Sequence, residues 1–95
     1  MAHVFTSRVR IAPDVLYRLV AEEAVLLNLK TEQYLGLDAV GTRMWEILVS
    51  APSIEAACDA LLGEYDVDPP RLRQDVEEFL DKLLGQRLIL VEPSS

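Results

Sequence analysis

Three short apolar runs, joined by very short polar segments, restrict the fold of this chain more than any other feature. They cover residues 15–20, 24–29 and 34–37, and the joining segments are residues 21–23 and 30–33. The first run, VLYRLV, is rich in the β-branched and aromatic residues that favour strands. Segments this short can join only antiparallel neighbours, because a parallel connection needs roughly a dozen residues or more. The sequence therefore predicts an antiparallel meander of three strands.

Helix signals follow the meander directly. Asp38 is a good N-cap for a helix over residues 39–50, because its carboxylate can accept a hydrogen bond from the free N–H groups of the first turn. Gly41 costs about 1 kcal/mol in a helix interior, so we expect another group to approach it closely. Apolar residues recur in this segment at three- and four-residue spacing, namely at Val40, Met44, Ile47 and Leu48.

Two further helices are predicted in the second half of the chain. Ser53 caps a helix over residues 54–62, and Gly63 follows at the usual stop position. Asp68 and Pro69 are the N-cap and first-turn proline of a longer helix that ends at Gly85. The inward face of this third helix is predicted to carry Leu72, Val76, Phe79, Leu80, Leu83 and Leu84.

Short extended segments flank this arrangement. Residues 88–91 are predicted to be extended, and residues 7–11 could add a leading strand. The chain has 95 residues, of which 51% are hydrophobic, so it can bury one core. We predict a single domain over residues 1–95 with its core at about 13–91. The fold class is α+β and resembles a winged helix-turn-helix, with a three-stranded antiparallel sheet followed by three helices.

The residues that catalysis or metal binding would need are scarce. His3 is the only histidine, Cys58 is the only cysteine, and the four glycines are too scattered for a phosphate loop. A structural metal site needs about four ligands, and this chain cannot supply a usual set. Cys58 lies on the apolar face of the second helix, so we expect a buried structural thiol. We predict that the protein is not an enzyme and has no cofactor and no metal.

The cysteine count and the length of the apolar runs predict a cellular location. One cysteine excludes an intramolecular disulfide and favours a reducing compartment. The N-terminal segment has no apolar core of a secretion signal, and no apolar run approaches the ~20 residues of a membrane span. We therefore predict a cytoplasmic protein without a membrane partner.

A winged-helix outline raises the alternative of a DNA-binding regulator, but the charges oppose it. The net charge is −7. In residues 69–86, Arg71, Arg73 and Lys82 are outnumbered by four acidic residues. Residues 53–68 carry five acidic residues and no lysine or arginine. Helices of this charge would repel a phosphate backbone, so we predict no nucleic-acid partner.

The third strand raises a different possibility, because it is the last strand of the meander. Residues 34–37 contain neither a charge nor a proline, which are the usual protections of an exposed edge. Gly36 would let another backbone come close. Either the segment 88–91 or a helix covers this edge, or an extended peptide adds to it as a further strand. Such an edge could also pair two copies, so we expect a monomer or an edge-paired dimer.

Three short patterns in this order resemble the PqqD-like family, small peptide-binding proteins also called RiPP recognition elements. They are Tyr-x-Gly-Leu-Asp at residues 34–38, Val-Gly-x-x-x-Trp at residues 40–45, and Asp-Val-x-x-Phe-Leu at residues 75–80. The resemblance covers roughly residues 13–89. It implies that the leader segment of a ribosomally made precursor peptide pairs with the third strand and fills a groove beside the third helix.

The resemblance also implies which residues form the site. Strand pairing falls on Gln33, Tyr34, Leu35, Gly36 and Leu37. The helix side of the groove falls on Leu72, Asp75, Val76, Phe79 and Leu83, and the floor on Val25 and Leu27. At helical spacing, Leu72, Val76 and Phe79 fit a plain hydrophobic core equally well.

Within the family, the chain most resembles the stand-alone leader-binding protein of lasso-peptide pathways. That likeness implies two partners, the precursor leader peptide and a leader peptidase or other modification enzyme. The alternative within the family is a chaperone that hands a peptide to a radical SAM enzyme.

Overall fold

The computed structural model describes residues 5–93, which form five strands and three helices. The strands are β1 (Arg8–Ile11), β2 (Val15–Val20), β3 (Glu23–Asn28), β4 (Tyr34–Gly36) and β5 (Ile89–Glu92). The helices are α1 (Ala39–Ser50), α2 (Ile54–Glu64) and α3 (Pro69–Gly85). His3 lies outside the described residues. None of the helices within residues 5–93 has the length and apolarity of a membrane span.

Strands β2, β3 and β4 form the predicted antiparallel meander in that order. The β2–β3 hairpin turns through two residues, with Ala21 at a φ of 56°. The buried side chain of Asn28 fixes the next turn, where its Oδ1 accepts the N–H groups of Lys30 and Thr31 at 2.9 and 3.1 Å. Its Nδ2 donates to the carbonyl oxygen of Arg87 at 2.9 Å. One buried amide thus ties the meander to the segment after α3.

A second, two-stranded sheet joins the two ends of the described chain. Strand β1 pairs antiparallel with β5, from Arg8 opposite Glu92 to Ile11 opposite Ile89. The predicted leading strand is therefore present, but it is not part of the meander. The predicted extended segment at residues 88–91 is also present, and its partner is β1 rather than β4.

The helix starts follow the capping residues. The Asp38 carboxylate accepts the N–H of Gly41 at 2.7 Å, and the Ser53 hydroxyl accepts the N–H of Ala56 at 3.0 Å. A Cβ on Gly41 would lie 3.3 Å from the Asp38 Oδ1, so the close approach expected there is made by the cap itself. Gly63 does not end its helix, since no glycine among the described residues has the positive φ of a stop signal, and α2 continues to Glu64.

The hydrophobic core lies between the inner face of the meander and the three helices. Its largest fully buried side chains include Leu26, Trp45, Leu48, Leu61, Leu80 and Leu83. Cys58 is buried in it as predicted, and burial raises the pKa of its thiol. Outside the core, Arg43 donates two hydrogen bonds to the Glu64 carboxylate at 2.8 and 2.7 Å, which links α1 to α2 and lowers the pKa of Glu64.

Candidate peptide-binding edge and groove

The outer edge of β4 carries backbone groups that point away from the sheet. The Leu37 N–H donates to the Ala24 carbonyl at 2.8 Å, and the Gln33 carbonyl accepts the Asn28 N–H at 2.9 Å. Alternate residues of a strand direct their backbone groups to opposite sides. The N–H and C=O of Tyr34 and Gly36 therefore face outward. Strand β4 is the last strand of its sheet, and no other strand within residues 5–93 pairs with this edge.

Helix α3 runs alongside this edge and leaves a depression at each end of β4. One depression, of about 320 Å³, lies between the start of β4 and the end of α3, and it is lined by Glu32, Gln33, Tyr34 and Gln86. The other, of about 340 Å³, lies between the residues that follow β4 and the middle of α3, and its lining includes Asp38, Val40, Met44, Asp75, Phe79 and Lys82. We call the two depressions together with the β4 edge the edge groove.

An apolar cavity of about 270 Å³, which we call the anchor pocket, adjoins the second depression. Val40, Met44 and Asp75 line both spaces, so the pocket and the groove are neighbours. Its remaining lining is Leu61, Tyr65, Asp66, Val67 and Leu72. A pocket of this size and polarity suits one apolar or aromatic side chain of an extended peptide.

Charge is distributed unevenly along the groove. Asp38, Asp75 and Glu78 border the end near the anchor pocket, where Lys82 is the one cation among the described residues that line the depression. Asp38 already caps α1, and Asp75 makes only a long, exposed contact of 3.6 Å with Arg71. An exposed ion pair of this kind contributes little stability, so the Asp75 carboxylate remains available to a basic ligand.

The structure brings together part of the predicted site. Tyr34 is 72% exposed at the β4 edge, and Gln33 and Gly36 are exposed beside it. On α3, Asp75 and Phe79 are half-buried and line the groove. The side chains of Leu35 and Leu37 point into the core, so only the backbone of this segment faces a ligand.

The other predicted residues lie apart from the groove surface. Leu72 is buried but borders the anchor pocket. Val76 and Leu83 are fully buried in the core, as the alternative interpretation of the α3 stripe allowed. Val25 and Leu27 lie opposite Gly36 and Tyr34 on the face of the sheet that is turned away from the core. That position is on β3, on the side of β4 away from its open edge, and not beneath the groove.

Sequence reasoning missed several groove residues, of which Val40 is the most important. It was predicted only as one of the regularly spaced apolar residues of α1, but its side chain is 51% exposed and lines both the groove and the anchor pocket. Its position in the first turn of α1, directly after the cap at Asp38, could have indicated that it is exposed, because this end of the helix lies at the edge of the sheet. Met44, Glu78, Lys82 and Gln86 also line the groove and were not predicted.

A free strand edge beside an apolar groove is the arrangement by which small binding domains take up an extended peptide as an added strand. The fold and the site together define this class of protein. The family described as coenzyme PQQ synthesis protein D (PqqD) matches residues 23–89. The chain belongs to this family, which confirms the resemblance read from the three sequence patterns.

Two solved structures are similar to the chain over most of its length. TbiB1 in complex with the TbiA(beta) leader peptide is 39% identical, with a TM-score of 0.76, over 84% of this chain and 93% of TbiB1. Lasso peptide synthetase B1 complexed with the leader peptide is 19% identical, with a TM-score of 0.76, over 87% of this chain and 98% of that protein. Both likenesses confirm the predicted α+β fold. Comparison with curated protein sequences gives no match.

Proposed function

We propose that this protein binds the leader segment of a ribosomally made precursor peptide and presents it to a modifying enzyme, the leader peptidase of a lasso-peptide pathway. The observation that carries the proposal is the open β4 edge beside the edge groove. It occurs in a chain 39% identical to TbiB1, a protein whose structure contains a leader peptide.

The mechanism follows from the geometry of the edge. The backbone of the leader pairs with the outward N–H and C=O groups of Tyr34 and Gly36, which makes the leader a fourth strand of the meander. Alternate side chains of the leader then enter the groove, where Val40, Met44 and Phe79 offer apolar contact. These contacts offset the conformational entropy that a flexible peptide loses on ordering.

The protein itself performs no bond chemistry in this proposal. By holding the leader, it raises the effective concentration of the scissile region near the enzyme. It requires no cofactor and acts in the cytoplasm, where the precursor is made. The family description, which refers to synthesis of coenzyme PQQ, supports a second candidate partner, a radical SAM enzyme that would receive the peptide instead of a peptidase.

The direct test is a titration with a fluorescein-labelled leader peptide, followed by polarisation. The probes are the TbiA(beta) leader and the leader peptide of the lasso peptide synthetase B1 complex. We expect saturable binding to at least one probe, with only a weak dependence on salt. Trp45 is buried, so an extrinsic label reports binding better than tryptophan emission does. If neither leader binds while duplex DNA binds with a steep salt dependence, the proposal is wrong.

Asp75→Lys is expected to weaken binding of a leader that carries a basic residue at the end facing the anchor pocket. The change replaces a half-buried carboxylate at the groove with a cation, beside the existing Lys82. We expect roughly a fivefold to tenfold higher Kd at low salt, and a smaller effect at high salt because screening weakens the repulsion. The measurement is the same titration at two salt concentrations. Asp59→Lys on α2, an exposed site that lines none of the groove, is the control and should leave the Kd unchanged.

A further inference from the structure

A further cavity lies beyond the start of β4, at the end of the meander where β2 begins and β3 ends. Its volume is about 440 Å³, and we call it the base cleft. Ala12, Leu84 and Ile89 give it an apolar lining, and the exposed residues Lys30 and Arg87 line it as well. A concave surface that combines apolar lining with a few charged groups suits a peptide side chain of matching charge.

The two cations of the base cleft have no partner in the protein. Neither the Lys30 ammonium nor the Arg87 guanidinium makes an ion pair or a side-chain hydrogen bond within residues 5–93. Asp14 is the one carboxylate among the described residues that line the cleft. The far end of the edge groove carries Asp75 and Glu78 and is acidic. The path from the anchor pocket to the base cleft therefore changes sign, from negative to positive.

One buried side chain fixes the two cationic residues relative to each other. The Asn28 Oδ1 accepts the N–H of Lys30 at 2.9 Å, and its Nδ2 donates to the carbonyl oxygen of Arg87 at 2.9 Å. Arg87 and Asp14 have left-handed backbones, with φ of 56° and 66°. Non-glycine residues adopt this conformation only where their surroundings hold it, commonly at binding sites. The frame that carries the two charges is thus preformed, which lowers the entropic cost of binding.

An acceptor without a donor lies between the β4 edge and the base cleft. The Oε1 of Gln86 is buried and has no hydrogen-bond partner within residues 5–93. Buried polar atoms are nearly always paired, and an unpaired one is costly. Gln86 and Glu32 line the first depression of the edge groove, while their chain neighbours Arg87 and Thr31 line the base cleft, so the two spaces are adjacent. A peptide that passes from one to the other can donate a backbone N–H to Gln86 once this half-buried amide rotates toward it.

These features identify the occupant by its chemistry. A small free anion would meet the two cations but would leave the apolar lining and the Gln86 acceptor without a partner. An acidic residue within an extended peptide meets all three, because it brings a carboxylate, an aliphatic stem and a backbone N–H. The peptide already expected at the adjacent β4 edge is the leader.

We propose that the base cleft binds an acidic residue of the leader, in the segment that leaves the edge groove at the start of β4, with its carboxylate between Lys30 and Arg87. This inference rests on the proposed function. Gln86 is a positioning residue that accepts a backbone N–H of the passing peptide. The site then selects the direction of the leader, because a reversed peptide would place like charges together at both ends.

The first test removes the two cations. Lys30→Gln combined with Arg87→Gln is compared with Arg8→Gln combined with Arg18→Gln, a control that loses the same charge at exposed residues lining neither the base cleft nor the edge groove. The labelled TbiA(beta) leader is titrated against each full-length protein at two salt concentrations. We expect a roughly fivefold higher Kd for the cleft variant at low salt, a smaller change at high salt, and an unchanged Kd for the control.

The second test changes the leader instead of the protein. Each Asp or Glu of the probe is replaced in turn by Asn or Gln. One replacement should raise the Kd for the unmodified protein by a similar factor and should have little further effect on the cleft variant, as for two groups in direct contact. This series remains decisive even if a protein variant fails to fold, which circular dichroism would reveal.

Gln86→Met tests the path between the two spaces. Methionine has nearly the same size and removes the unpartnered oxygen. We expect a higher midpoint of denaturant unfolding together with a roughly threefold higher leader Kd. A residue that only supports the fold would not lose affinity while the protein gains stability. Normal leader affinity in this variant would overturn the path across Gln86.

The outcomes separate this inference from the proposed function. Equal leader affinity in the cleft variant and its control would overturn the inference and leave the proposed function intact. A loss in the cleft variant that no acidic residue of the probe reproduces would also overturn it. Failure of the unmodified protein to bind any leader would refute the proposed function itself.

Discussion

Gly36→Pro is expected to abolish leader binding and to leave the fold intact. The Gly36 N–H points outward from β4, so a proline removes a donor that only an added strand would use and puts its ring in the path of that strand. Proline is tolerated at an edge strand when the missing N–H faces solvent. The φ of Gly36 is not positive, so proline does not conflict with the local backbone in that respect. We expect at least a ~30-fold higher Kd, about 2 kcal/mol, in the polarisation titration.

Gly36→Ala is the matched control for the proline variant. A Cβ at this position meets no atom within 4 Å, and alanine keeps the N–H. It should bind the leader nearly as well as the unmodified protein does. Circular dichroism should report the same helix content for both variants. A folded proline variant that binds with normal affinity would disprove pairing at this edge. Leu35→Pro is a poor substitute, because the backbone and side chain of Leu35 face β3 and the core.

Phe79→Ala is expected to remove most of the apolar contact on the helix side of the groove. Phe79 is half-buried, packs against the core and lines the second depression. We expect a leader Kd at least ~tenfold higher and a loss of about 2 kcal/mol in the free energy of unfolding, less than the cost at a fully buried site. Denaturant titration and leader titration measure the two effects separately.

Two further variants separate the loss of binding from the loss of stability. Leu84→Ala truncates another half-buried α3 residue that packs against the core, but it borders a different cavity, near β5. It should lose similar stability and keep leader affinity. Val40→Gln alters an exposed side chain of the groove, so it should lose affinity at little cost in stability. If Leu84→Ala weakens binding as much as Phe79→Ala does, the effect is one of stability and not of contact.

Local patterns predicted most of the fold because each element carries its own signals. Strand β2 matches its predicted bounds, and α1 begins and ends where the cap at Asp38 and the apolar spacing indicated. The pairing of β1 with β5 has no such signal, since the two strands are joined only through the whole domain between them. Segments 7–11 and 88–91 were recognised as extended, but nothing local specifies their partner.

The candidate site was predicted less completely for a physical reason. Helical spacing identifies the apolar stripe of α3, but it does not indicate where along the stripe the core ends and the groove begins. Val76 and Leu83 lie within the core, while Phe79 reaches the groove surface. Val40 shares the apolar spacing of α1, but it lies too near the start of the helix to be covered. Such boundaries depend on how helices and sheet pack, which one sequence does not encode locally.

The pairing of β1 with β5 has a consequence for how such a module can be combined with others. Because Arg8 lies opposite Glu92, the incoming and outgoing polypeptide run within one strand spacing of each other, about 5 Å. An additional domain fused upstream or downstream would start from nearly the same point of this domain. A catalytic domain fused at either end would therefore lie in a similar position relative to the edge groove.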